Sequence, residues 1–453
     1  MGVSSPSGSR MFRASPQKTP TKYSSATPAS HLQWIQLAVV LVLLLNGLRG
    51  TRSESPSKPS PAERPKAVET SRAQVAFQSN RSDRHPPEVG TVIMINPRIL
   101  DVYLLNLKGG EPLRLSYDKQ EAFLFYRTRQ RWSPDGKWLG WPGEFDMFIS
   151  GASTNTRTIR LVEDSARCNP LLGPPPPGPL PRIMREWPTL ALTILAWAPD
   201  SQRLVVWNSH SWKTMIYRLD GNVEKEIKPM PSSSLADLDW SSKGLMAEVF
   251  SGSTGECSIF LLAPPFEQAS RKRILDFGGT IAGLRFSPQG DALTFVGKKA
   301  DKWAVYVLDL ATEHLAMVAG GVDGDTSPKW FHNMLPPDRP EKHLWVLEGC
   351  RARWSPDGKR LAFGSDGQIK VVNRDGGGLK DVTPQGIFAD GPSWTPDGRR
   401  ILFHGTIQPN TTSMNSGFSV YIIDADGKNV ERLTEGPTQG ASDFYPEWQP
   451  TVR

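Results

Sequence analysis

The chain has 453 residues, a formal net charge of +7 and 40 each of Gly and Pro, too many turn formers for a helical protein and a composition that leans all-β. Twelve Lys+Arg and five Asp+Glu fall in residues 1–90, so the excess charge resides there and the remainder is neutral. A basic groove that tracks phosphates is thereby excluded from the folded part, and no nucleic-acid partner is expected.

Residues 1–30 read as a disordered basic segment, with Arg10, Arg13, Lys18 and Lys22 ahead of an uncharged stretch that lasts until Arg49. Within 31–50, Leu37 to Leu45 is unbroken Leu, Ala and Val, the pattern of a transmembrane signal-anchor or a signal peptide. Leu45 or Leu48 stands three positions before the candidate cleavage sites, where a small residue is preferred, so an uncleaved anchor is the expectation. The protein is then a single-pass membrane protein with its folded part outside the cytoplasm, or periplasmic or secreted if the signal is removed. Residues 51–88 are rich in Pro and Ser, bury too little to offset ordering entropy, and read as a linker.

From residue 90 to 453 the chain repeats. Arg131-Trp132-Ser133-Pro134-Asp135-Gly136 returns at Arg353-Trp354-Ser355-Pro356-Asp357-Gly358 and at Ser393-Trp394-Thr395-Pro396-Asp397-Gly398. Looser copies stand at Trp197, Trp240 and Phe286. Pro presets φ, the polar residues close the turn and Gly takes the left-handed position of a bulged hairpin. A short apolar strand such as Leu361-Ala362-Phe363 follows each copy, and a second strand such as Val420-Tyr421-Ile422-Ile423 ends in an Asp/Gly turn. Each unit is a four-stranded meander, and units stacked radially bury both faces of every sheet. The fold class is therefore an all-β propeller.

Spacings between anchors of 65, 43, 46, 68, 40 and 54 residues, ending at Trp448, place insertions in two units. One holds a polyproline-type loop at Gly173–Pro179; the other runs near Lys329 to Cys350 and could hide a further unit at Trp330. The last copy stops at Trp448, whereas residues 92–116 supply strands with no Trp turn before them. The carboxyl-terminal strand is expected to join the first blade, giving seven blades, with six or eight as alternatives.

This repeat resembles the WD40-like repeat of TolB-type propellers, over roughly residues 90–453. The resemblance implies a protein-interaction platform in the periplasm, and the propeller is expected to be monomeric. It departs from TolB in lacking room for a folded α/β domain ahead of the propeller.

No nucleophile elbow, Walker loop, His-Glu-x-x-His or dinucleotide fingerprint is present. Cys168, Cys257 and Cys350 have neither a zinc spacing nor a disulfide framework, and read as small buried residues. Asp323-Gly324-Asp325 and Asp424-Ala425-Asp426-Gly427 lack the later carboxylate of a calcium loop and read as turns. No catalytic, metal or cofactor residue is assigned. Surface-binding candidates are Trp207, His210 and Trp212 around one loop, and His332 and His343 in the longer insertion. The functional expectation is a non-enzymatic scaffold for a protein or peptide partner outside a membrane, with an enzyme or carbohydrate-binding propeller sited in the central funnel as the alternative.

Overall fold

The repeated turn is closed by its own side chains. In the computed structural model the Ser133 hydroxyl donates to Asp135 (2.6 Å), whose carboxylate also accepts the Lys137 N–H (3.1 Å). The Trp138 N–H donates to the Ser133 hydroxyl (3.0 Å), and Gly136 turns the chain at φ 67°. Ser355 with Asp357 (2.6 Å) and Thr395 with Asp397 (2.5 Å) repeat the arrangement. Partial burial works to raise the Asp135, Asp357 and Asp397 carboxyls, and these hydrogen bonds outweigh it, leaving all three below their ordinary value.

The structure describes residues 74–79, 99–107, 111–116, 122–123, 130–142, 147–152, 159–161, 193–208, 213–231, 233–252, 255–300, 302–322, 351–407, 418–434 and 443–450. The chain divides into two units, Met1–Arg64 and Pro65–Arg453, and every described residue lies in the second. Among the described residues no helix is long and apolar enough to cross a membrane. The segment 31–50, the loop at 173–179 and the insertion around Trp330 lie outside them.

Strands β1 (Gln74–Ser79), β2 (Ile99–Asn106) and β3 (Leu113–Arg114) pair in that order, and β4 (Ala122–Phe123) adds to β2. Six meanders follow. The first is β5 (Arg131–Trp132), β6 (Trp138–Pro142), β7 (Met147–Gly151) and β8 (Ile159–Leu161); the second is β9 (Thr193–Trp197), β10 (Arg203–Asn208), β11 (Lys213–Arg218) and β12 (Val223–Ile227). The third is β13 (Ser234–Trp240), β14 (Met246–Ser251), β15 (Cys257–Leu262) and β16 (Arg271–Asp276); the fourth is β17 (Thr280–Phe286), β18 (Ala292–Lys299), β19 (Lys302–Asp309) and β20 (Leu315–Val322). The fifth is β21 (Arg353–Trp354), β22 (Arg360–Ser365), β23 (Gln368–Asn373) and β24 (Lys380–Asp381); the sixth is β25 (Phe388–Trp394), β26 (Arg400–Thr406), β27 (Ser419–Asp424) and β28 (Glu431–Arg432). The last strand, β29 (Asp443–Trp448), pairs antiparallel with β1, so the remaining sheet runs β29-β1-β2-β3.

Burial grades along each sheet. β14 is buried throughout, whereas the fourth strands β12, β24 and β28 carry Glu, Lys, Asp and Arg and are largely exposed, which keeps the outer edges from pairing with other chains. Seven apolar clusters result, each spanning two consecutive sheets and each holding one repeat anchor: Trp132, Trp197, Trp240, Phe286, Trp354, Trp394 and Trp448. The architecture is an all-β propeller of seven four-stranded blades.

The strand β1 corrects one expectation, because it falls inside the stretch 51–88 read as linker. Val75, Ala76 and Phe77 are fully buried there. Six residues between β29 and β2 need only three apolar side chains to belong to the core, and a composition average over the surrounding Pro and Ser hides them.

Candidate functional site

The first strands of the sheets touch one another, β5 with β9, β9 with β13, β13 with β17, β21 with β25 and β25 with β29. They therefore line the axis of the propeller. Alternation along a strand sends successive side chains to opposite faces, so the residue before each anchor forms a second, inner set. That set is Arg131, Ala196, Asp239, Arg285, Arg353, Ser393 and Glu447.

Two of its charges are joined directly. Arg131 Nη1 donates to Asp239 Oδ1 (3.0 Å), a bond from β5 to β13 that passes over the whole intervening blade. The equivalent position in that blade is Ala196, whose small side chain leaves the path open. Asp239 Oδ2 accepts the Phe286 N–H (2.9 Å), and Asp237, two residues earlier, accepts the N–H groups of Leu238 (2.9 Å) and Leu284 (3.0 Å). The unpaired edge of β17 is thus capped by two carboxylates of β13. Burial pushes the Asp239 carboxyl up, against the opposing pull of Arg131 and the Phe286 N–H. Arg285 Nη1 lies 3.8 Å from Asp237, and Arg351 is almost wholly buried just ahead of β21.

Around this ring the indoles tie blade to blade. Trp197 donates to the Arg131 carbonyl (3.0 Å), Trp354 to that of Arg285 (3.3 Å), Trp394 to that of Arg353 (2.9 Å) and Trp132 to that of Glu447 (3.2 Å). The acceptor is each time the residue before the neighbouring anchor. Trp240 is different and donates to Gly244 in its own turn (3.2 Å).

A second concavity, an open cleft of about 890 Å³, lies between the fourth and fifth meanders. Arg374 spans its wall, paired with Asp291 (2.9 Å) and Asp309 (3.2 Å), and Asp357, Lys359, His314 and Asp375 line the rest. Hydrogen bonds from Thr312 hold the Asp309 carboxyl low, with Arg374 adding to the effect.

Of the surface candidates, only Trp207 lies among the described residues, and it is no surface residue. It is 3 % exposed in the core between the second and third meanders. Central-strand position decides this, since both faces of β10 are covered. His210, Trp212, His332 and His343 lie outside the described residues. One histidine that spacing left unremarkable, His404, is buried against the rings of Phe418, Phe444 and Tyr445 where β26 meets β29. The inner charged ring also escaped notice; reading one residue upstream of every anchor would have found it. Cys257 is buried, as its size suggests; Cys168 and Cys350 lie outside the described residues. Among the described residues no group of three or more His, Cys, Asp or Glu is placed to hold a metal ion.

Fold and axis together define a seven-bladed propeller in which four repeat tryptophans bond neighbouring blades around a set of half-buried and buried charges. No family model matches the chain, and no curated protein matches it. Among solved structures it is similar to TolB from Acinetobacter baumannii, at 14% identity over 78% of this chain and 79% of that one, with a TM-score of 0.42. It is also similar to oligogalacturonate lyase from Vibrio parahaemolyticus (13% identity, 72% and 83% covered, TM-score 0.46). A third is the β-propeller domain of the Trilobed protease from Pyrococcus furiosus (11% identity, 75% and 91% covered, TM-score 0.44).

Proposed function

We propose that this chain is a non-enzymatic propeller scaffold that binds a protein partner on the outer side of a membrane, with residues 31–50 as its anchor. The observation that supports this reading is the use made of the axial carboxylates. Asp237 and Asp239 are occupied by main-chain N–H groups of the next blade and by arginines, so they build the ring and are not poised to move a proton. The β29 to β1 pairing is read in the same way, as the latch that closes a rigid platform. The Trp-Ser-Pro-Asp-Gly repeat and its TolB-type resemblance point to the same role.

One observation favours a second reading, a sugar-directed or enzymatic site in the funnel. Charged residues of the first, third, fourth and fifth meanders and of the β29 sheet stand at equivalent positions, one residue before each anchor. Crosslinking capture on the full chain, run beside an oligosaccharide binding and turnover screen, separates the two. Recovery of one stoichiometric protein partner supports the scaffold; oligosaccharide binding or cleavage with no partner overturns it.

A further inference from the structure

We infer that the axial channel is a binding site for a small oxyanion, a phosphate or a carboxylate, held by Arg131 and Arg285. The argument is one of donors and acceptors. A guanidinium carries five N–H donors and no acceptor, and Arg131, Arg285, Arg351 and Arg353 bring four of them to the first strands or just ahead of one. The acids on the same first strands are Asp237, Asp239, Asp390, Asp443 and Glu447. Asp237 gives both oxygens to main-chain N–H groups, and Asp239 gives one.

Two arginine donors remain without a partner in consequence. Arg131 Nη2 and Arg285 Nε are both buried and make no hydrogen bond, and Arg285 as a residue is only 7 % exposed. A buried donor left unmet costs about 1–3 kcal/mol, and more when it is charged. A water meets no more than two such donors and brings two protons of its own to place. An oxyanion offers several acceptor oxygens and takes several charge-assisted bonds at once. The two arginines come from β5 and β17, on either side of β13, so an anion between them would join blades that share no hydrogen-bonded strands.

The test uses the full-length chain in detergent, titrated with inorganic phosphate and with succinate at constant ionic strength set by chloride. Saturable binding of either, with a rise in melting temperature, is expected, and the tighter ligand tells phosphate from carboxylate. Arg285→Gln and Arg131→Lys are each expected to weaken binding at least tenfold, and Arg218→Gln, exposed and away from the axis, to leave it unchanged. Absence of saturable binding to either ligand, or unchanged affinity in both axial variants, overturns the inference. Should the variants fail to fold, selenate soaked into wild-type crystals decides: an anomalous peak beside Arg131 and Arg285 supports the site, and a map without one there overturns it.

Discussion

The turns at Trp132 and Trp240 occupy equivalent places in their blades and do different work. Gly136 packs on Gln449 and Pro450 of the preceding blade, whose Gln449 amide donates to the Gly136 carbonyl (2.8 Å), and the Trp132 indole bonds to that same blade at Glu447. Gly244 has open space around the position of a Cβ, and the Trp240 indole bonds within its own turn. The first copy closes a hairpin and also joins two blades. The second, which has lost the Pro and the Asp, closes a hairpin and reaches the next blade through a side chain, the Ser242 hydroxyl donating to the Pro288 carbonyl (2.9 Å). The two copies therefore differ in what meets a neighbouring blade: the first presses its glycine and its indole on one, the second offers a serine hydroxyl and leaves its glycine free.

The largest test of this difference is a pair of alanine substitutions. Gly136→Ala places a Cβ in the left-handed region and drives it into the Pro450 carbonyl, for an expected loss of about 2–5 kcal/mol. Gly244→Ala carries the left-handed cost alone, about 1–2 kcal/mol. Denaturant unfolding of the two variants measures the gap, and equal losses would break the distinction.

Smaller effects are expected from the indoles. Trp394→Phe removes a bond between blades and orphans the Arg353 carbonyl, about 1–2 kcal/mol, whereas Trp240→Phe frees a carbonyl that water reaches in a half-exposed turn, about 0.5–1 kcal/mol. Chemical denaturation of both variants ranks them, and a larger loss at Trp240 contradicts the assignment.

The smallest effect is in pH. Asp357 titrates lower when folded than when unfolded, so its contribution is present above the unfolded value near pH 4 and is lost as pH falls through the folded one. Burial pushes Asp239 in the opposite direction, so its contribution declines as pH rises through its own window. Asp357→Asn should flatten the acid loss of melting temperature between about pH 5 and 3. An unchanged acid slope would remove the turn carboxylate from the account.

Much of this architecture was legible from the repeat, since a Trp anchor, a Pro-Asp-Gly turn and an apolar strand state their structure within ten residues. What was less legible depended on partners distant in the chain. Gln74–Ser79 becomes a strand because β29 and β2 flank it, and its own six residues carry no turn or period that says so. Trp207 was offered to the surface on the polar loop beside it, and the burial of β10 on both faces decided otherwise. The axial ring lay in plain sight at one residue before each anchor, yet Arg131 reveals its role only when Asp239 is brought across from two blades away.

The pairing of β1 with β29 also fixes an order of events in time. On the ribosome β1 emerges near the start of the folded unit and must wait for almost the whole of it before its inner neighbour is made. Val75 and Phe77 are apolar and exposed during that wait, and a nascent strand with an open edge invites the wrong partner. The first blade to be started is thus the last to be finished, and the growing protein spends its synthesis with that one edge unguarded.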